Sequence, residues 1–315
     1  MFFSDALLDF IFSSQKAAVS KQELYVEFLE IWKNKSYKNI NIIDLRYNSK
    51  YYKRKFKSVI RSLELCDELK VIGDETIGPT YFINLRITPI NPYKIICDLY
   101  PLGYVSHLSA MEIHKLTTKT SDSIYFTTLN RTNWKKNFLS ELNKHDYPFF
   151  RESYDSEIIE LIPRFPTEEK YLNKDLLVFT HKNLMNYEMF NGVRVQELTL
   201  LFIEMTRAPQ YCGGIDNVIS VFKNHAKLII EDILESTNKN GTNIDKARIG
   251  FILDEILRIS HPTLEKWKLE MVGQRGGSRK FISYLPFEPK FSPTWNISLN
   301  HTVVSQYGIS SYKNE

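Results

Sequence analysis

The sequence predicts an α+β protein in two parts. Residues 1 to 88 read as three helices and a hairpin, and residues 89 to 315 as a mixed α+β domain ending in a helical region, with a subdivision near 185. Three observations lead there. Apolar residues recur three times at helical spacing before residue 65, and two β-type runs with a glycine turn follow. Alternating stretches between 123 and 181 then give way, after Arg194, to long helical periodicity.

Residues 5 to 16 place Leu7, Leu8, Ile11 and Phe12 on one helical face, with Ser4 as N-cap. Ser20 opens a second helix, and Glu23 three residues later completes a capping-box signature ahead of Leu24, Phe28, Ile31 and Trp32. Residues 33 to 49 are polar and Asn-rich and predict an irregular connection. The stretch Lys50 to Leu65, KYYKRKFKSVIRSLEL, predicts the third helix. Phe56, Val59, Ile60 and Leu63 fall at i, i+3, i+4 and i+7, a stripe to be buried. Lys50, Lys53, Arg54, Lys57 and Arg61 repeat that spacing on the other side. Leu69 to Ile72 and Thr80 to Leu85 then read as strands, with Gly73 and Gly78 supplying the turn and Lys70 at the hairpin base. This is the order of a winged helix-turn-helix, whose third helix enters the major groove while the hairpin leans on the backbone.

Charge supports that reading. A cationic helix face is most often merely solvated, but here the charge is local. Between Lys33 and Arg61 stand ten Lys or Arg and one acidic residue, Asp44, a local +9 in a chain of net +4, so the rest carries −5. That contrast predicts an anionic partner at one site rather than a generally basic surface.

Asn91-Pro92 marks the boundary near residue 88. Beyond it, Ser106 caps a short helix holding Leu108, Met111 and Ile113, and SIYFTT (123 to 128) reads as a strand. YPFFRE (147 to 152), EIIELIPRF (157 to 165) and LLVFTH (176 to 181) add further strand-like stretches, giving a small mixed sheet. After Arg194, VQELTLLFIEMTR brings Leu198, Leu201, Phe202 and Met205 into register. A turn at Cys212-Gly213-Gly214 leads into a helix from Asp216, another over Ile244 to Ile259 and one over Thr263 to Met271. The ending, rich in Gly, Pro and aromatics, reads as an ordered tail over the helices.

Composition excludes several classes. With 43% hydrophobic and 25% charged residues the chain is globular in type. Cys66, Cys97 and Cys212 form no C-x-x-C pair, so neither a disulfide framework nor a zinc ribbon is expected. The start, MFFSDALLDFIF, lacks a basic leader, and no apolar run approaches the roughly 18 to 20 residues that span a bilayer. A soluble, cytoplasmic protein without membrane contact is expected.

Catalytic signatures are sparse, and neither a catalytic residue, a metal site nor a cofactor is expected. His107 and His114 stand seven residues apart, about 10 Å along a helix, too far to share one zinc, and are read as packing or capping residues. Asp155 with Glu168-Glu169-Lys170 loosely matches the acidic, acidic-x-lysine pattern of magnesium nucleases. Pro166-Thr167 just before it favours a plain helix start instead. In Arg275-Gly276-Gly277-Ser278-Arg279-Lys280 two glycines let backbone N–H groups curl around an anion between cations. A Gly-Gly turn between helix and strand needs the same residues for steric reasons.

Three stretches carry a resemblance: YVSHLSAMEIHKLT followed by IYFTT, from Tyr104; GVRVQELTLLFIEMTRAPQYCGGIDNVI, from 192 to 219; and ARIGFILDEIL through RGGSRKF to WNISLN, from 247 to 300. Together they resemble the AbiEi-type antitoxins of type IV toxin–antitoxin systems, regulators from bacterial phage-defence operons. The resemblance implies an N-terminal winged helix-turn-helix that binds repeats in its own promoter as an autorepressor, and a larger C-terminal antitoxin domain. It implies a nucleotidyltransferase-like toxin as functional partner, countered without a stable complex. The long Lys- and Asn-rich connection before the basic helix departs from a compact family member.

The sequence thus predicts a non-enzymatic regulator on double-stranded DNA, as monomer or homodimer. Lys53, Arg54, Lys57 and Arg61 are expected to contact phosphates, Asn48, Ser49 and Lys50, at the helix N-terminus, base edges, and Lys70 to bind DNA from the base of the wing. The rival readings are a magnesium nuclease using Asp155, Glu168 and Lys170, and a structured-RNA binder stacking bases on Tyr51 and Tyr52.

Overall fold

The computed structural model describes residues 1–45, 51–73, 80–145, 154–167, 170–273 and 279–310. Along the chain come α1 (Phe3–Ser13), β1 (Ala18–Ser20), α2 (Lys21–Asn34), β2 (Ser36–Tyr37), β3 (Ile40–Asn41), α3 (Tyr52–Glu64), β4 (Leu69–Ile72), β5 (Tyr81–Asn84), α4 (Pro92–Leu99) and β6 (Gly103–Val105). Then follow α5 (His107–Ile113), β7 (Ser123–Leu129), α6 (Arg131–Leu142), α7 (Tyr154–Glu160), β8 (Lys170–Tyr171), β9 (Lys174–His181), β10 (Tyr187–Phe190) and β11 (Val193–Gln196). The remainder is α8 (Leu198–Arg207), α9 (Ile215–His225), α10 (Ile230–Asn240), α11 (Asn243–Phe251), α12 (Pro262–Met271), β12 (Lys290–Ser292), β13 (Ile297–Ser298), α13 (Thr302–Ser305) and β14 (Ile309–Ser310). The protein is mixed α and β. Among the described residues no helix is long and apolar enough to cross a membrane.

The chain divides into two compact units that do not meet at residue 88. One holds Met1–Gly103, Thr127–Leu184 and Gly192–Arg194; the other holds Tyr104–Phe126, Met185–Asn191 and Val195–Glu315. The reason is packing. Leu142, Ile158 and Leu161 are buried in the same core as Phe3, Leu7, Phe28, Phe56 and Leu63, so the segment after β7 completes the N-terminal core. Asn91-Pro92 is not a linker either: the Asn91 side chain accepts from the Tyr93 N–H at 2.9 Å and Pro92 is the first residue of α4. The Ala17 N–H donates to Asp98 at 2.7 Å, which ties α4 to the start of β1. Arg194 lends its guanidinium to the Tyr100 carbonyl at the end of that helix at 2.8 Å, where a cation suits the helix dipole, and to the Gly103 carbonyl of β6 at 2.6 Å.

In the first unit β5 is the centre of a three-stranded antiparallel sheet, order β1-β5-β4, with Ala18 opposite Ile83 and Lys70 also opposite Ile83 from the other side. Ser20 accepts from the Glu23 N–H at 3.1 Å, but the Glu23 carboxylate turns to Lys16 instead of closing the capping box. The connection expected to be irregular carries the small antiparallel ladder β2-β3, with Lys38 and Asn39 at positive φ between its strands. This unit also holds the second half of β7 followed laterally by β9 and β8.

EIIELIPRF is not a strand. Residues up to Glu160 form α7, with Ile158 and Leu161 buried three apart, because a short apolar run leaves helix and strand equally open. The strand expected at 147 to 152 lies outside the described residues. Lys170–Tyr171 is a strand rather than the first turn of a helix capped by Thr167.

The second unit contains β10, the latter parts of β11 and β6, and the first half of β7, with β11 and β6 parallel at Val195 and Val105. Against this stand the helices. Gly213 and Gly214, both at positive φ, turn the chain between α8 and α9 as expected, and Phe202 meets Phe222 edge-on with centroids 4.9 Å apart. The helix expected from Asp216 is broken at residues 226–228, so α9 and α10 are separate. The one expected over 244 to 259 changes after Phe251 into a π-type turn, where the Leu257 N–H reaches back five residues to Ile252 at 2.9 Å. The tail is the sheet β13-β12-β14, anchored by the buried Trp295.

Candidate nucleic-acid interface

Helix α3 begins at Tyr52 and buries Phe56, Val59, Ile60 and Leu63 as their spacing predicts. Tyr52 extends the stripe by one turn. Phe56 packs on Tyr25 and Phe28 of α2, with centroids 4.6 and 5.2 Å apart. Burying these rings forces the remaining positions outward. Arg54 and Arg61, seven residues apart, stand on the crest opposite the stripe and are exposed. Lys53 and Lys57 are also exposed but lie on one flank. On the other flank Lys55 pairs with Asp44.

The flank is not simply open to a ligand. Lys53 lies 3.2 Å from Glu157 and 3.3 Å from Glu160 of α7, and the Tyr52 hydroxyl donates to Glu157 at 2.5 Å. Partial burial works against the Lys53 charge, but the two carboxylates outweigh it and hold its ammonium above the ordinary lysine value. Burial first and Glu157 second push the Tyr52 hydroxyl well above its usual range. Tyr52 is therefore a core residue and not a stacking platform, whereas Tyr51 is half exposed. Sequence reasoning missed this acidic pair. As a strand, Glu157 and Glu160 would face opposite sides; as a helix, the i, i+3 spacing puts them on one face.

Lys70 is exposed on β4, next to the crest helix in the chain order. Asn48, Ser49 and Lys50 lie outside the described residues, as do residues 74–79 between β4 and β5. Arg54, Lys57 and Arg61 with Lys70 remain as exposed cations able to meet phosphate oxygens, with Lys53 shared with carboxylates.

The second candidate anion site is only partly described, since Arg275, Gly276, Gly277 and Ser278 fall outside the described residues. Arg279 directs its guanidinium at the Met271 sulfur, 3.3 Å away, and the Lys280 ammonium donates to the Leu285 carbonyl at 2.8 Å. Lys280 also offers its own carbonyl to Arg248 at 3.0 Å. Both cations are thus engaged in holding the tail.

Of the nuclease candidates, Glu168 and the Asp155 side chain lie outside the described residues. Asp155 belongs to α7 rather than a strand end, and Lys170 is exposed, 3.9 Å from Asp175. His107 is buried and its Nδ1 meets the Ser106 hydroxyl at 2.8 Å, which takes that hydroxyl away from capping α5. His107 Nε2 lies 3.5 Å from Glu204, and His114 Nε2 lies 2.8 Å from the Gln196 carbonyl. Among the described residues no group of three or more His, Cys, Asp or Glu is placed to hold a metal ion. Neither a protein-family model nor a curated protein matches the chain.

Proposed function

We propose that the chain is a cytoplasmic, non-enzymatic DNA-binding autorepressor whose residues 1 to 88 act as a winged helix-turn-helix, and that the rest serves as an AbiEi-type antitoxin domain. The observation that carries the DNA-binding part is the placement of Arg54 and Arg61. They stand exposed on the crest of α3, opposite the buried stripe. The order α1-β1-α2-β2-β3-α3-β4-β5, with β1 pairing to β5, β4 on its far side and the small β2-β3 ladder inserted between α2 and α3, supports the winged reading. The antitoxin part rests on the resemblance of residues 104 to 300, and its functional partner is a nucleotidyltransferase-like toxin.

Fluorescence anisotropy with a duplex carrying the upstream region of its own gene tests the first part. Binding that weakens steeply with salt is expected, and Arg54→Ala with Arg61→Ala lowers the salt slope by about 0.9 for each lost phosphate contact. An unchanged slope sinks the groove-binding role of the crest. Co-expression with the product of the neighbouring reading frame tests the second part: a toxin left fully active in the presence of this chain rules the antitoxin role out.

A further inference from the structure

Beside the recognition helix lies a cavity of about 430 Å³, within the size range of small-molecule sites. It is lined by the first turns of α2, the Lys53–Lys57 flank of α3 and the segment around the end of α7. Four cations line it, Lys21, Lys53, Lys57 and Arg164, against one carboxylate, Glu160. The rings of Tyr25 and Phe56 give it an apolar wall. Glu157 and Glu64 sit just outside, near Lys53 and Lys21.

Two residues of this lining carry polar atoms that stand out. The Tyr25 hydroxyl and the Gln22 Oε1 are both shut away from solvent and have no hydrogen-bond partner among the described residues, and Tyr25 is more than nine-tenths buried. Leaving such groups unpaired is unfavourable, so a ligand that meets them as their side chains turn toward the cavity gains by pairing them. Lys21 is the cation under most pressure. Burial first, then Lys57 and Arg164 against the opposing pull of Glu64, holds its ammonium below the ordinary lysine value. A bound anion relieves that crowding.

We propose that this cavity binds a small phosphorylated ligand of the nucleotide class. The phosphate lies among the four cations, the base lies against Tyr25 and Phe56, and a ring or exocyclic N–H donates to Gln22 Oε1. A bare phosphate uses the cations but neither the aromatic wall nor the buried amide oxygen. The site stands without the DNA-binding reading but meets it at Lys53 and Lys57. A bound phosphate takes these two lysines away from DNA, so the ligand weakens duplex binding.

Isothermal titration calorimetry on the full chain, without DNA, tests it with adenosine and guanosine monophosphates, the two nucleosides and inorganic phosphate. At least one mononucleotide is expected to bind tenfold or more tightly than its nucleoside and than phosphate. Lys57→Glu, at an exposed position, should weaken it at least tenfold with an unchanged melting curve, while Arg54→Glu on the crest leaves it unaltered. Tyr25→Phe should weaken it severalfold. No binding at millimolar mononucleotide, phosphate binding as tight as the nucleotides, or equal losses from Arg54→Glu and Lys57→Glu would each overturn the proposal. Duplex binding measured separately by anisotropy keeps the two readings apart: duplex binding with no nucleotide binding defeats only the cavity, and the reverse defeats only the DNA interface.

Discussion

The Tyr52 hydroxyl donates a 2.5 Å hydrogen bond to Glu157, and through this contact the first turn of the basic helix is tied to a helix more than a hundred residues away in sequence. The same carboxylate, with Glu160, holds Lys53. Two carboxylates therefore occupy the position next to the crest where a phosphate would sit if α3 lies in a groove, and the basic face is divided by use into a free crest and a shared flank.

Removing that cover should change DNA binding. Glu157→Gln with Glu160→Gln releases Lys53, and duplex affinity at low salt should rise, with a salt slope steeper by about 0.9. Anisotropy across a salt series measures it. Affinity that falls or stays constant would mean that the acidic pair does not compete with DNA.

The crest and flank should separate in mutagenesis. Arg61→Ala should cost more duplex affinity than Lys53→Ala, because only the first removes a crest cation that has no carboxylate partner among the described residues. Equal losses at several salt concentrations would contradict this division.

Gly250 lies inside α11, and a Cβ built there collides with the six-membered ring of the buried Trp295. Ala ordinarily gains about 1 kcal/mol over Gly in a helix, but overpacking a filled core costs about 1 to 3 kcal/mol. Gly250→Ala should therefore destabilise by up to about 2 kcal/mol in urea unfolding followed by tryptophan fluorescence. A stabilised variant would show that Trp295 can move aside freely.

Arg207 reaches the buried Asp245 with two nitrogens, at 2.7 and 3.1 Å. Burial tends to raise the Asp245 carboxyl, but Arg207 and the Thr242 N–H and hydroxyl outweigh it and hold the group below its ordinary value. A depressed folded-state value contributes stability above the unfolded value of about 3.9, and the contribution is lost as pH falls through the folded value. Asp245→Asn should be less stable than the parent at pH 7, with the gap closing below about pH 4. A gap independent of pH would assign the loss to packing instead of charge.

Much of the N-terminal architecture was legible in the sequence because its signals are local. The stripe of Phe56, Val59, Ile60 and Leu63, the Ser20 cap and the glycine pair before α9 each depend on spacing within a few residues. The failures share a cause. Helix and strand compete evenly over EIIELIPRF, and only burial of Ile158 and Leu161 against the N-terminal core decides for helix. Asn91-Pro92 carries the same local chemistry in a linker as in a capped helix start.

By itself, then, the sequence determined which faces are apolar and which are charged: helical periodicity and charge separation are properties of the covalent chain. Only the tertiary structure decided which charges are spoken for. Lys53, Lys57, Arg54 and Arg61 read alike along the chain, yet Lys53 meets two carboxylates from residues 157 and 160, Lys57 turns to a cavity shared with Lys21 and Arg164, and the two arginines face outward. Coulombic partnership acts over a few ångströms of space, and sequence distance does not constrain it.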